Sequence, residues 1–289
     1  MRPTITLFLA LLALLAIPCH LPAVETELKP LHFAPYPGEN GKPAIGVYSP
    51  MLQDIAQTLG RRVEFVFTGT FPELFRRFAE GEIDLAYLGP LSYIALRDRY
   101  PFAEPLVMFR DATGQPQGSC AIVAFGALPL PLDGIHSNRF ALPGTFATCG
   151  YVAVENLLQR HGSGIEHNRF RYFSNEEEVI LAVVRGEFDG GCVKTATARQ
   201  FFHLGIRIAD ETEPLPGMGL VANGKTLTQE DRAAIRRILT SLDPRGRDKD
   251  KLAAWGETLR YGAAAADDAD YGAARRIQGK LVIPAQGHD

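Results

Sequence analysis

Apolar residues fall along this chain in three rhythms, and each rhythm predicts a different kind of element. From Ile5 to Ile17 they run almost unbroken, behind the charge of Arg2 and ahead of Pro18. At 31–34 and 63–67 they form short strand-like stretches, the second alternating with polar positions. Phe71, Leu74, Phe75 and Phe78 recur at helical spacing, which predicts a helix stopped by Gly81. Between the two strands, a Pro/Gly-rich loop over 35–43 precedes a helix opened by Ser49-Pro50 and ended after Leu59 by Gly60.

The same pattern returns downstream. Arg77-Phe-Ala-Glu-Gly-Glu-Ile-Asp84 leads into the apolar stretch 85–88, a turn and a segment over 91–97. Val183-Val-Arg-Gly-Glu-Phe-Asp189 leads into 190–193, then Lys194 and a segment ending near Phe202. A helix feeding a short buried strand is the unit of an α/β sheet. Ligands of such sheets sit beyond the carboxyl ends of the strands. The two echoes therefore mark two candidate ligand walls, Leu88-Gly89-Pro90 and Cys192-Val193-Lys194. The second half adds a strand at 139–142, a loop at 143–149 and a helix from Gly150 to Arg160. Ser174 and Glu177 form a capping-box pattern for the helix carrying Val179, Ile180, Val183 and Val184. A strand at 218–222 and helices at 228–239 and 252–259 read as a return to the first half, with crossings near 124–128 and 214–220.

The N-terminal apolar run is shorter than the ~20 residues of a membrane span. With its basic start and the small residue ending Leu21-Pro22-Ala23, it describes an export signal over 1–23. Lipid attachment at Cys19 fits badly after Pro18. The formal charge of −3 includes Arg2, so cleavage makes the chain more acidic, and no basic run offers a footing for nucleic acid. Cys120, Cys149 and Cys192 remain after cleavage, an odd number that leaves at least one unpaired or bound elsewhere in an oxidising compartment. His32, His136, His161, His167 and His203 show no metal-ligand spacing, and Trp255 reads as packing. No Gly-x-Ser-x-Gly, His-Glu-x-x-His or phosphate loop is present, so binding is expected rather than catalysis, with no cofactor.

Gly81-Glu-Ile-Asp-Leu-Ala-Tyr-Leu-Gly-Pro-Leu-Ser-Tyr93 resembles the strand-and-turn signature of the periplasmic phosphate, phosphite and phosphonate binding proteins. Ala147-Thr-Cys-Gly-Tyr151, Gly186-Glu-Phe-Asp189, Leu215-Pro-Gly217 and Asp267-Asp-Ala-Asp-Tyr271 follow in the family's order. The resemblance implies a two-lobed α/β, type II periplasmic binding fold, with 24–125 and 218–289 forming lobe 1, 126–217 forming lobe 2, and a ligand cleft between them. It implies a small oxyanion held at the helix start after Thr148, an ABC transporter permease as partner, and a monomer. Unpartnered N–H groups and the helix dipole favour an anion there on physical grounds as well. Expected ligand contacts are Tyr48, Gly89, Pro90, Tyr93, Cys120, Thr148, Cys149, Gly150, Cys192 and Lys194.

The chain departs from the family where hydroxyls are usual. Ala147, Cys149 and Cys120 stand at those positions, and a thiol is a weak donor. Each lost hydrogen bond to a charged group removes roughly 1.5–3 kcal/mol. Three readings of the cysteines stay open: a disulfide, inert buried thiols, or a thiol site around the solute. The last suggests an alternative function, an arsenite sensor using Cys120, Cys149 and Cys192 to signal to a membrane histidine kinase, with Cys149 partly thiolate at its helix start. Lys194, standing where relatives often carry an acid, favours an anion without an amine or is a surface lysine.

Overall fold

The structure, a computed structural model, describes residues 29–39, 41–126 and 130–288. The expected export signal and Cys19 lie outside the described residues. Among the described residues, thirteen strands follow in chain order. They are β1 (Leu31–Ala34), β2 (Val63–Phe65), β3 (Leu85–Leu88), β4 (Ala103–Phe109), β5 (Gln117–Gly118), β6 (Cys120–Phe125) and β7 (Arg139–Pro143), then β8 (Arg169–Phe173), β9 (Gly190–Lys194), β10 (Ile206–Glu211), β11 (Leu215–Pro216), β12 (Gly219–Asn223) and β13 (Ala263–Ala265). The α-helices are α1 (Gly41–Leu59), α2 (Phe71–Ala79), α3 (Pro90–Arg99), α4 (Tyr151–Arg160), α5 (Glu176–Val184), α6 (Thr195–Gln200), α7 (Gln229–Thr240), α8 (Lys249–Ala253) and α9 (Gly272–Gln278).

These build two sheets of related design. The first has the order β13-β4-β12-β3-β1-β2, the second β10-β6-β9-β7-β8. In each, a run of parallel strands is interrupted by one antiparallel strand contributed by the crossing chain, β12 beside β3 and β6 beside β9. The near-continuous burial of β3, β9 and β12 fits strands covered on both faces. Separate apolar layers lie on the two faces of each sheet.

The repeated Gly-Glu-x-Asp turns out to be a structural device. Gly81 and Gly186 take φ of 79° and 72°, the left-handed turn that ends α2 and α5. Each following aspartate then ties its strand to a neighbour. Asp84 Oδ2 accepts from His32 N at 2.7 Å, and Asp189 Oδ2 accepts from Arg139 N at 2.8 Å. In both cases the aspartate's own N–H donates to the same partner's carbonyl.

Several boundaries differ from expectation. The helix expected from Ser49-Pro50 begins at Gly41, with Pro50 inside it. Ala44, Tyr48, Met51, Leu52 and Ile55 form one buried stripe whose packing outweighs the hydrogen bond that Pro50 cannot donate. The cap of α5 is Asn175, whose side chain accepts from Glu178 N, one residue beyond the expected Ser174 box. The helix expected over 252–259 is the short α8 followed by turns.

The lobe boundaries also move. Strand 120–125, expected in lobe 1, pairs with β9 and β10 in the second sheet. The first crossing therefore falls before Cys120, not near 124–128. The chain returns between β10 of the second sheet and β12 of the first, and the two crossings pair with each other as the ribbon β5–β11. The chain end also leaves the first lobe, for Phe170 N donates to His288 O at 2.9 Å on the edge of β8.

Candidate functional site

The carboxyl ends of both sheets set the candidate site. In the first lobe β1 runs into Tyr36 and Glu39, β2 into Thr68, and β3 into Gly89 and Pro90 at the start of α3. In the second lobe β7 runs into the loop carrying Phe146, Thr148 and Cys149 before α4, β8 into Glu176 at the start of α5, and β9 into Lys194. β6 begins at this same end, since Cys120 is paired with Lys194.

Both expected helix starts are formed. Gly89 is the N-cap of α3, where a Cβ would meet Met218 Sδ at 3.2 Å, and the buried Ser92 hydroxyl donates to Gly89 O. Gly150 caps α4 and is pressed against three loop carbonyls: a Cβ there would lie 3.0 Å from Ala147 O and 3.2 Å from Pro143 O. The 147–150 turn is further held by Gly150 N donating to Ala147 O, and Val154 N donates to Gly150 O, so the helix begins here; the first N–H groups of a helix have no partner within it. Thr148 is half-buried beside them.

The thiols resolve differently from the arsenite reading. Cys120 and Cys149 form a disulfide, and both are buried. Neither sulfur is a thiolate, so the trio that would hold trivalent arsenic does not exist. Cys192 is free but fully buried on β9, and burial, with Glu176 nearby, pushes its thiol well above the ordinary range. The arsenite alternative is withdrawn on these grounds. The disulfide fastens the loop before α4 to the first strand of its own lobe.

Two tyrosines also leave the expected ligand set. Tyr48 is buried between Phe33 and Tyr87, and its hydroxyl donates to Glu39 Oε2 at 2.7 Å. It supports an acid at the end of β1 rather than walling a ligand. Tyr93 is buried against Tyr271 and donates to Asp268 Oδ1 at 2.6 Å. Asp267 and Asp270 form a capping box in the same segment, so the Asp267–Tyr271 motif is a clamp on α3. Lys194 has a mostly exposed side chain and stands 4.0 Å from Glu176 Oε1. At that distance and exposure it neutralises the acid only weakly.

Glu176, Tyr36 and Thr68 were not among the sequence candidates. Glu176 is mostly buried and accepts from Thr197 Oγ1 at 2.6 Å. Tyr36 is pushed up to about 12 by burial and then by Glu39 of its own lobe and Glu176 of the other. Two acids from opposite lobes thus approach one phenol. Partial burial raises the Glu39 carboxyl, against the hydrogen bond from Tyr48. Thr68 is 5 % exposed and its hydroxyl has no partner. A glutamate opening a helix and a threonine ending a strand carry no special spacing, so the sequence held no signal for them. Two surface recesses, of about 270 and 280 Å³, lie elsewhere: one is lined by Arg139, Arg169 and Arg171 at the far end of the second sheet, the other by Arg160 and Arg276 beside the crossing.

Among the described residues no helix is long and apolar enough to cross a membrane. Residues 33–271 match the family model of the periplasmic phosphonate substrate-binding proteins of ABC transporters. The fold is similar to that of a binding component of an ABC phosphonate transporter from Pseudomonas aeruginosa, at 18 % identity and a TM-score of 0.67, over 86 % of this chain and 85 % of that one. It is similar to PhnD1 of Prochlorococcus marinus, solved with methylphosphonate, at 16 % identity and a TM-score of 0.70 over 87 % and 97 %. The aliphatic sulphonate binding protein SsuA of Escherichia coli shares it at 12 % identity and a TM-score of 0.61, over 89 % of each chain. Type II periplasmic binding architecture and a family match spanning both sheets lead to one assignment: the chain belongs to the phosphonate-binding family of periplasmic ABC-transporter substrate-binding proteins.

Proposed function

We propose that this protein captures a small oxyanion of the phosphate, phosphite or phosphonate class between its lobes and delivers it to an ABC permease. The observation that carries this reading is the pair of helix starts, Gly89–Pro90 and Thr148–Gly150, at the carboxyl ends of the two sheets. Unpaired backbone donors with the dipole behind them suit an anion, and Thr148 adds a hydroxyl. The disulfide replaces family hydroxyls with groups that donate nothing, so backbone N–H groups carry more of the recognition here. The buried hydroxyl of Thr68, which has no partner, is a further candidate donor from the first lobe.

The acids around Tyr36 favour a second feature of the ligand. A carboxylate as buried as Glu176 suits a cationic group, and Lys194 neutralises it only through a 4.0 Å contact from an exposed side chain. An oxyanion that also carries an amine, such as an aminoalkyl phosphonate, fits this end better than a bare anion, contrary to the expectation drawn from Lys194 alone. The export signal over 1–23 and the monomeric state belong to the same reading. Calorimetry with phosphate, phosphite, methylphosphonate and an aminoalkyl phosphonate tests it. At least one should bind below millimolar concentration; no binding by any of the four rejects the reading.

A further inference from the structure

The loop that carries the candidate oxyanion donors also carries an apolar contact between the lobes. Phe146 stands two residues before Thr148 on the second lobe, yet its ring packs against the first lobe's core. Its centroid lies 4.5 Å from Phe71 and 6.0 Å, nearly edge-on, from Phe75, both on α2. Phe71 continues the group to Tyr36 at 5.1 Å, again edge-on. Separating the lobes would return these faces to water, and that cost is independent of any ligand.

We propose that Phe146 is a latch: it holds the cleft closed through protein–protein contact alone and thereby sets both the closed population of the free protein and the affinity for a small ligand. This deepens the oxyanion reading and rests on it for the affinity, though not for the closure. A binder that opens freely needs its ligand to supply the whole of closure. Here the socket of Tyr36, Phe71 and Phe75 supplies part of it, so a ligand need offer little beyond the charge that the helix starts accept. Apparent affinity scales with the fraction of protein already in the competent form.

The test is small-angle scattering of the ligand-free protein, wild type against Phe146→Ala, with a cooperative melt to establish that the variant is folded. Phe71→Ala removes the same contact from the opposite lobe and stands in should Phe146→Ala fail to fold. The wild type should be compact without ligand and the variant expanded, contracting when the calorimetrically identified oxyanion is added. The Kd of the variant should rise about tenfold, as expected if its closed fraction falls to about one tenth. Identical scattering from the two free proteins, or a wild type as expanded as the variant, overturns the latch. A scattering difference without binding of any tested oxyanion keeps the latch and rejects the oxyanion site.

Discussion

At the scale of single residues, short-range chemistry decides which side chains are available. Thr148 stands beside the unpaired N–H groups of α4, so Thr148→Val should weaken oxyanion binding by roughly ten- to a hundredfold, as expected for one hydrogen bond to a charged group. Calorimetry reads that loss directly, and an unchanged Kd would remove Thr148 from the site. His161 is a different case, remote from the cleft. Its Nδ1 lies 2.8 Å from Asp133 and its Nε2 2.9 Å from Asp210, and these bonds, Asp133's first, raise its folded pKa above the ordinary 6.5. The charged imidazole therefore adds stability that is fully present below about pH 6.5 and is lost as pH rises through the higher folded value. Melting temperature should fall over that window in the wild type and lose this component in His161→Gln. A wild-type profile that is flat there would show that the two carboxylates do not hold the proton.

At the scale of elements, turns and caps explain why the two halves echo each other. The aspartate of Gly-Glu-x-Asp does not face a ligand; it accepts the N–H of a neighbouring strand. Asp84 is 4 % exposed, and Asp84→Ala would strand His32 N in a buried setting. The expected loss is about 1–3 kcal/mol in a denaturant titration. Asn175→Ala, which removes the cap of α5 at an exposed position, should cost about 1 kcal/mol. A larger effect at Asn175 than at Asp84 would contradict this ranking. Gly191 belongs to the same scale: a Cβ there would meet Val179 Cγ1 at 2.7 Å, so α5 lies on β9 only because that position has no side chain.

Over the whole molecule, the disulfide holds the second lobe together, and the chain end ties the lobes to each other beyond their crossings. The disulfide closes a loop with a sequence separation of 29 residues, and chain-entropy reasoning gives it about 3–4 kcal/mol. Reduction should lower the melting temperature, and labelling the native oxidised protein should find no reactive thiol among Cys120, Cys149 and Cys192. Rapid modification of Cys192 before unfolding would show that the second sheet opens there. The chain end passes from the first lobe along α9 and finishes on β8, a third link between the halves beside the ribbon β5–β11.

The sequence by itself determined the α/β class, most strands and helices, the pair of helix starts and the order of the motifs, because these depend on local periodicity and on glycine and proline at turns. It misplaced the first crossing because an apolar strand such as 120–125 has the same pattern in either sheet; only its pairing assigns it. It also placed three cysteines near the cleft without saying which two would bond, since Cys120 and Cys149 meet through the loop 143–150 folding back on β6. Tyr48 and Tyr93 beside helix starts invited a ligand role that side-chain direction then removed. Glu176 and Phe146 gained their roles only when the opposite lobe came near. A contact between lobes is a property of tertiary packing, and no spacing along one strand or helix encodes it.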